Sequence, residues 1–341
     1  MRRLAVFLGL LTLIIAVVAG IAAFRIWERI HAPHKGYEAA EQFVDIPAGT
    51  GTVAIARRLV DAGIVRDAAT FRAALWWSGR SRALQAGEYR FDRPLAAVDV
   101  VDRLVRGDVY ARRITFPEGL TLQEMARVYE MREFGTAANF LEAARDPSFI
   151  RDLDSAATDL EGYLFPDTYA LPRGTPARRL VVLMLERFRA TYDDDMQREA
   201  REQALTTREI VTLASLVEKE TARADERPLV AAVYRNRLKL GMGLQADPTV
   251  VYALQRAGRY TGNIRRDDLA IDSPYNTYRY AGLPPGPIAS PGRASLEATL
   301  RPARVGYLYF VSRNDGSHAF ATTLAEHNRN VHRFQVLYFR R

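Results

Sequence analysis

The sequence contains no cysteine, which excludes disulfides, cysteine-ligated zinc, thiol nucleophiles and a cysteine-borne lipid anchor together. Histidine is scarce, five residues in all, and only His318, His327 and His332 lie beyond position 36. His327 and His332 are five residues apart, off the shared face that a helical zinc pair needs, and no HExxH is present. There is no P-loop, no GxSxG elbow and no GxGxxG following a strand, so neither a metal nor a nucleotide cofactor is expected. Acidic residues are in deficit, 40 against 48 basic ones, for a net charge of +8. That balance suits an anionic partner such as nucleic acid, phospholipid head groups or an acidic polymer, without choosing among them. With 48% hydrophobic and 26% charged residues over 341 positions, the chain has the composition of two or three folded domains.

One stretch has no charge at all. Leu4 to Phe24 is a 21-residue apolar run interrupted only by Gly9, Thr12 and Gly20. At about 1.5 Å rise per residue such a helix matches the roughly 30 Å of a hydrocarbon core. Its length favours a retained anchor over a cleaved signal peptide, whose apolar core runs about 7–15 residues. Arg2 and Arg3 precede the run, so residues 1–3 are expected on the cytoplasmic side, 4–24 across the membrane and the rest outside. Arg25, Trp27 and Arg29 follow as interfacial anchors. Export of the remaining chain argues against nucleic acid as the anionic partner.

Beyond a linker at 25–36 the chain repeats itself once. Ile46-Pro47-Ala48-Gly49 with Ile55-Ala56-Arg57 recurs 70 residues later as Phe116-Pro117-Glu118-Gly119 with Met125-Ala126-Arg127. Each copy reads as a strand, a Pro-x-Gly turn and a helix, because proline fixes φ near −65° and glycine permits φ > 0. Thr52 and Thr121 are the expected helix N-caps. A strand at 86–91 and a helix from Ala97 to Arg106, stopped by Gly107, complete a first domain at 37–107. The second copy opens a larger domain, 108–341. Helical patterns dominate from Thr136 to Asn236 with a break at 160–172, and a hairpin turning at Asn314-Asp315-Gly316 precedes a last helix. The class is α+β.

The stretch Thr206 to Thr221 (TTREIVTLASLVEKET) opens with a capping box, Thr206 and Glu209. Ile210, Leu213, Ala214, Val217 and Thr221 form one apolar stripe, with Glu218 and Glu220 flanking it on opposite sides and Lys219 facing solvent. Either glutamate at the edge of apolar surface is a candidate general acid, since desolvation raises a carboxyl pKa. Two loops, at 243–249 and 271–288, carry the amides, hydroxyls and rings that hold sugars. A further cluster at 160–169 brings two carboxylates and two tyrosines.

Five segments carry a resemblance: LEGYLFPDTY (160–169), LASLVEKET (213–221), VYRNRLKLGMGLQADPTVVYAL (233–254), SPYNTYRYAGLPPGPIASPG (273–292) and EHN (326–328). In these the chain resembles the endolytic murein transglycosylases (MltG, YceG-like). The resemblance implies a single membrane helix, a LysM-like α/β subdomain and a larger mixed α+β catalytic domain on the periplasmic or extracytoplasmic face of the plasma membrane. It implies cleavage between N-acetylmuramic acid and N-acetylglucosamine within peptidoglycan strands, leaving 1,6-anhydro ends and ending strand elongation, with peptidoglycan synthases as partners. It puts the catalytic role on the first glutamate of VEKE, Glu218. Substrate contacts are expected from Gln245, Asp247, Thr249, Tyr275, Asn276, Tyr163, Glu161, His327 and Asn328. Two other readings fit the same residues. One is a non-catalytic peptidoglycan-binding scaffold; the other is a muramidase pairing Glu218 or Glu220 with Asp247 or Glu161.

Overall fold

The structure, a computed structural model, describes residues 2–79 and 84–338. It is a mixed α and β architecture whose strands, among the described residues, form only two-stranded sheets, and it divides into two compact units. The first comprises Met1–Arg112 with Ala170–Gly174, the second Arg113–Tyr169 with Thr175–Arg341.

The first unit begins with helix α1, Arg2–His31, of which Phe7–His31 is long and apolar enough to cross a bilayer. Strand β1 (Gln42–Ile46) pairs antiparallel with β2 (Gly87–Phe91), Val44 opposite Tyr89. Between them lie α2 (Thr52–Asp61) and α3 (Ala68–Ser78), and α4 (Ala97–Arg106) follows. The period-two pattern turns Val44, Ile46, Tyr89 and Phe91 inward, against Ile55, Leu59, Phe71, Leu75, Val100 and Leu104. Ile30, from the last turn of α1, is part of this core. The N-cap of α2 is Gly51 rather than Thr52, which is the first helical residue, and no side chain caps that end. Gly107 ends α4 in the left-handed conformation, φ 70°.

Strands β3 (Ala111–Thr115) and β4 (Thr168–Pro172) form a further two-stranded sheet. The second unit continues with α5 (Leu122–Met131), α6 (Ala137–Ala144), α7 (Ala177–Thr191), α8 (Asp194–Glu202), α9 (Thr207–Glu220), α10 (Arg227–Lys239), α11 (Asp247–Arg256), α12 (Arg293–Leu300), the hairpin β5 (Tyr309–Ser312) and β6 (His318–Ala321), and α13 (Leu324–Val331). The repeat is visible in the backbone: Gly49 and Gly119 have φ of 79° and 77°. Thr121 does cap α5, in a reciprocal box with Glu124.

Helix α9 is the centre of this unit. Thr206 and Glu209 form the expected capping box. Every residue from Ile210 to Val217 is buried, so the helix is enclosed on all sides there rather than along one stripe. Its neighbours are α8, α10, α11 and α12. The proline-rich loop before α12 runs along it. Arg208 Nη1 donates to Pro285 O (2.7 Å), Ile288 N to Ser215 Oγ (3.1 Å) and Gly292 N to Glu218 Oε2 (2.9 Å). An irregular loop must satisfy its backbone without a ladder partner, and here side chains of α9 supply one donor, Arg208, and two acceptors, Ser215 and Glu218.

Candidate active site

The last turn of α9 emerges from the core carrying Glu218, Lys219 and Glu220 in succession. At 100° per residue the two glutamates leave the helix on opposite sides, and they enter different surroundings. Lys219 is exposed and its Nζ donates to Gly119 O (3.0 Å).

Glu220 opens on a cleft of about 370 Å³. The cleft is also lined by Gln245 and Asp247 at the start of α11, Tyr278 from the following loop, the hairpin residues Phe310 and His318, and His327 of α13. The Tyr234 hydroxyl, from α10, donates to Glu220 Oε1 at 2.6 Å. Loss of hydration pushes the Glu220 carboxyl up to about 7, and the Asp247 charge adds to that, while the Tyr234 hydrogen bond and the Arg237 guanidinium oppose it. The side chain keeps partial access to solvent at the cleft, as proton donation to a substrate requires.

Arg237 builds the walls. Its buried guanidinium donates to Leu308 O (2.6 Å) and Leu244 O (2.7 Å), tying the hairpin to the loop before α11, and lies over the Tyr309 ring. Opposite, His318 Nδ1 is 2.6 Å from Glu226 Oε2, and Glu226 Oε1 accepts from the His318 backbone N–H (2.9 Å). The Tyr278 hydroxyl donates to Asp247 Oδ1 at 2.5 Å. Gln245 reaches the cleft from a left-handed backbone, φ 48°. His327 stacks on Tyr309, and burial lowers its pKa.

Glu218 faces elsewhere. Its side chain is 6% exposed, accepts from Gly292 N and lies 3.6 Å from Arg227 Nη2. Glu118, from the second Pro-x-Gly turn, packs onto Gly292 close enough that a Cβ there would stand 1.8 Å from its Oε1. Burial, reinforced by the Glu218 charge, raises the Glu118 carboxyl. Glu218 is not among the residues lining the cleft.

Several expected sugar contacts are spent inside the fold. Asn276 is fully buried, donating to Leu269 O and Ile271 O and accepting from Tyr278 N. Thr249 is equally buried and bonds to Ala246 O and the Thr277 hydroxyl. Tyr163 donates to Asp154 in the core. Glu161 accepts from Leu122 N and the Tyr252 hydroxyl, and burial pushes it up to about 8. Tyr275 packs on Tyr252 and Arg256. Asn328 is exposed on α13 and does not line the cleft. Gln245, Asp247 and His327 are brought together with Glu220. The sequence did not single out Arg237, Tyr278 and His318 as parts of the cleft, nor Tyr234 as the buried partner of Glu220, although Tyr234 and Arg237 lie within the 233–254 motif and Tyr278 within 273–292.

A larger hollow, about 630 Å³, is lined by Glu199, Arg235, Lys239, Arg301 and Arg304 among others. Of the two carboxylates that line it, Glu199 and Glu202, the first is held low by hydrogen bonds from Arg301, the wrong direction for a proton donor.

Residues 44–333 match the model of the YceG-like family. The chain is 33% identical over 301 residues to the endolytic murein transglycosylase of Bacillus subtilis (strain 168), covering 84% of this chain and 82% of that protein. It is 32% identical over 321 residues to the enzyme of the same name from Streptococcus pneumoniae serotype 2 (strain D39), of which it spans 57%. A crystal structure of a yceG-like protein from Listeria monocytogenes aligns with a TM-score of 0.59 at 31% identity, covering 85% of this chain and 98% of that one.

Proposed function

The chain belongs to the YceG-like family, and from that premise we propose that it is an endolytic murein transglycosylase whose proton-transferring carboxyl is Glu220. One observation carries the assignment. Glu220 is the carboxyl that combines a raised pKa, about 7, with a place in the wall of a polar cleft. A carboxyl near neutrality can be protonated to give and ionised to take, which is the requirement for acid and base work by one group.

The chemistry follows from that single group. Glu220 donates its proton to the glycosidic oxygen as the bond to the anomeric carbon breaks. The resulting carboxylate then accepts the proton of the muramic C6 hydroxyl as that oxygen attacks the anomeric carbon. The product is a 1,6-anhydro end, and the internal nucleophile gains the effective-molarity advantage of proximity. No water needs activating, so a second catalytic carboxylate is dispensable. Asp247, held by Tyr278, supplies negative charge near the developing oxocarbenium ion. Gln245, His318 and His327 are placed to hydrogen-bond the sugars and their acidic substituents.

Glu218, the residue the resemblance points to, is the second candidate. In its favour, its carboxylate is fixed by Gly292 N and neighboured by Arg227 and Glu118. Our reading gives it a positioning role, holding the 284–292 loop against α9. We further read α1 as a membrane anchor with the two units outside, the β1–α2–α3–β2 unit as LysM-like and glycan-binding, and cleavage as ending nascent strands beside the synthases.

Mass analysis of products from purified sacculi tests the whole scheme. Wild type should release anhydro-ended glycans, Glu220→Gln should release none, and Glu218→Gln should retain activity. The reverse pattern would return the acid/base role to Glu218. Reducing ends would identify a two-carboxylate muramidase using Glu220 and Asp247, and no new ends from wild type would leave a binding scaffold.

A further inference from the structure

The chain has three tryptophans, Trp27, Trp76 and Trp77, all in the first unit and all exposed, by 45%, 80% and 56%. An indole is among the costliest side chains to leave in water, and exposed clusters of them mark contact surfaces. Two of them, Trp27 and Trp77, meet through His31, and Trp76 precedes Trp77 on α3. Phe24 stacks near Trp27 (6.2 Å), Trp27 near His31 (4.6 Å), and His31 meets Trp77 edge-on at 6.4 Å. The aromatic series runs without a break from the apolar stretch of α1 to the C-terminal end of α3.

The junction is rigid. Ile30 is 1% exposed, inside the core of the unit. Arg29 donates to Asp67 Oδ2 (2.6 Å) and to the Thr70 hydroxyl (2.9 Å), and Asp67 is the N-cap of α3. Helix α1 and helix α3 are therefore fixed to one another by packing and by charge-assisted hydrogen bonds. Beside the aromatics lies a groove of about 460 Å³ lined by Arg25, Ile26, Glu28, Arg29, Ala32 and Arg66. The contact between Arg25 and Glu28 is long, 3.9 Å, and both side chains are exposed.

We propose that Trp27, Trp76 and Trp77, with Arg25 and Arg66, seat the first unit in the phospholipid headgroup layer of the bilayer that α1 crosses. The proposal rests on the reading of α1 as a retained anchor. A bilayer is the occupant because the patch is continuous with α1, and because amphipathic rings beside cations are the chemistry of the membrane–water boundary. The depth is consistent. Seven residues, about 10 Å of rise, separate Phe24 from His31, and the headgroup layer is about 5–8 Å deep on each side. Trp27, about 4.5 Å past Phe24, falls within that layer, and His31, where Trp77 meets α1, lies about 2–6 Å beyond it, a gap shorter than the 6.4 Å between the two rings. The unit is thereby docked on the membrane face rather than suspended from a free tether.

Because no other tryptophan exists, the emission of the full-length protein reports on this patch alone. The protein is reconstituted in phosphatidylcholine/phosphatidylglycerol vesicles carrying nitroxide lipids, labelled either at the headgroup or deep in the acyl chain. A Trp27→Phe variant isolates Trp76 and Trp77, and a Trp76→Phe/Trp77→Phe variant isolates Trp27. The headgroup label is expected to quench Trp76 and Trp77 by about twofold or more, with little effect of the deep label. Quenched Trp27 with unquenched, water-like Trp76 and Trp77 would overturn the docking while keeping the anchor. Unquenched Trp27 would remove the anchor and the docking with it. Blue-shifted but unquenched emission from Trp76 and Trp77 would assign the patch to a protein partner, and so overturn the proposal.

Discussion

The Tyr234 hydroxyl lies 2.6 Å from Glu220 Oε1, joining the last residue of α9 to the middle of α10. The bond favours the carboxylate, while loss of hydration favours the acid, and the second effect prevails. A carboxyl that titrates near 7 is the result of two opposed contributions, and each can be removed.

Tyr234→Phe removes the contribution that lowers the Glu220 pKa. With activity dependent on protonated Glu220, the alkaline limb of the kcat/KM profile falls near pH 7 in wild type. In the variant it should move upward by about one pH unit, the equivalent of a neutral donor's bond to a charged acceptor. The profile on soluble glycan strands measures this; an unmoved limb would deny Tyr234 the role.

Glu226→Gln should disturb the cleft from behind. Buried Glu226 accepts from the His318 backbone and lies beside its ring nitrogen, and it also accepts from the Thr221 hydroxyl at 3.4 Å. An amide offers fewer acceptor sites, so the ring loses its fixed orientation. We expect kcat to fall about tenfold, with a stability loss of about 1–3 kcal/mol. Kinetics alongside urea unfolding separate the two effects.

Glu161 provides a test in stability rather than rate. Its folded pKa, about 8, lies above the ordinary 4.5 because burial disfavours the charge. Between those values the folded state holds the proton more tightly than the unfolded chain does, so stability falls as pH rises from about 4.5 to 8. Glu220 acts in the same direction up to about 7. Glu161→Gln should flatten the decline in unfolding free energy between pH 5 and pH 8 by a few kcal/mol, read from urea midpoints at both pH values.

Gly162→Ala and Gly49→Ala separate backbone strain from crowding. Gly162 has φ 83°, and an added Cβ would sit 2.3 Å from Pro287 Cβ and 3.1 Å from Val211 Cγ1. Gly49 has φ 79° with nothing within 4 Å. The first should cost about 2–4 kcal/mol, strain plus overpacking, and the second about 1–2 kcal/mol from strain alone. Equal losses in thermal or urea unfolding would contradict the close approach at Pro287.

Local chemistry in the sequence foretold what local chemistry decides. The capping box at Thr206, the N-cap at Thr121, the Pro-x-Gly turns at Gly49 and Gly119, and the hairpin at 314–316 are settled within a few residues. Thr52 misled because the flanking Gly51 takes the cap position. Asn276 and Thr249 are occupied inside the fold for a deeper reason. Polar residues near a proline-rich loop suggest a ligand, but such a loop has no ladder to satisfy its backbone; Asn276 in the loop donates to Leu269 O and Ile271 O, and Thr249 on α11 accepts from Thr277 N. The difference between Glu218 and Glu220 was beyond reach of helical periodicity. It depends on which distant segment arrives on each side of α9, Gly292 on one and Tyr234 on the other.

The burial of Ile30 bears on how a water-soluble version should be cut. A truncation beginning after His31 would delete Ile30 from the core and strand Asp67 without Arg29. An emptied isoleucine site typically costs about 2–5 kcal/mol. Starting near Arg25 keeps both contacts while removing the uncharged run, so a few residues decide whether the shortened protein is sound.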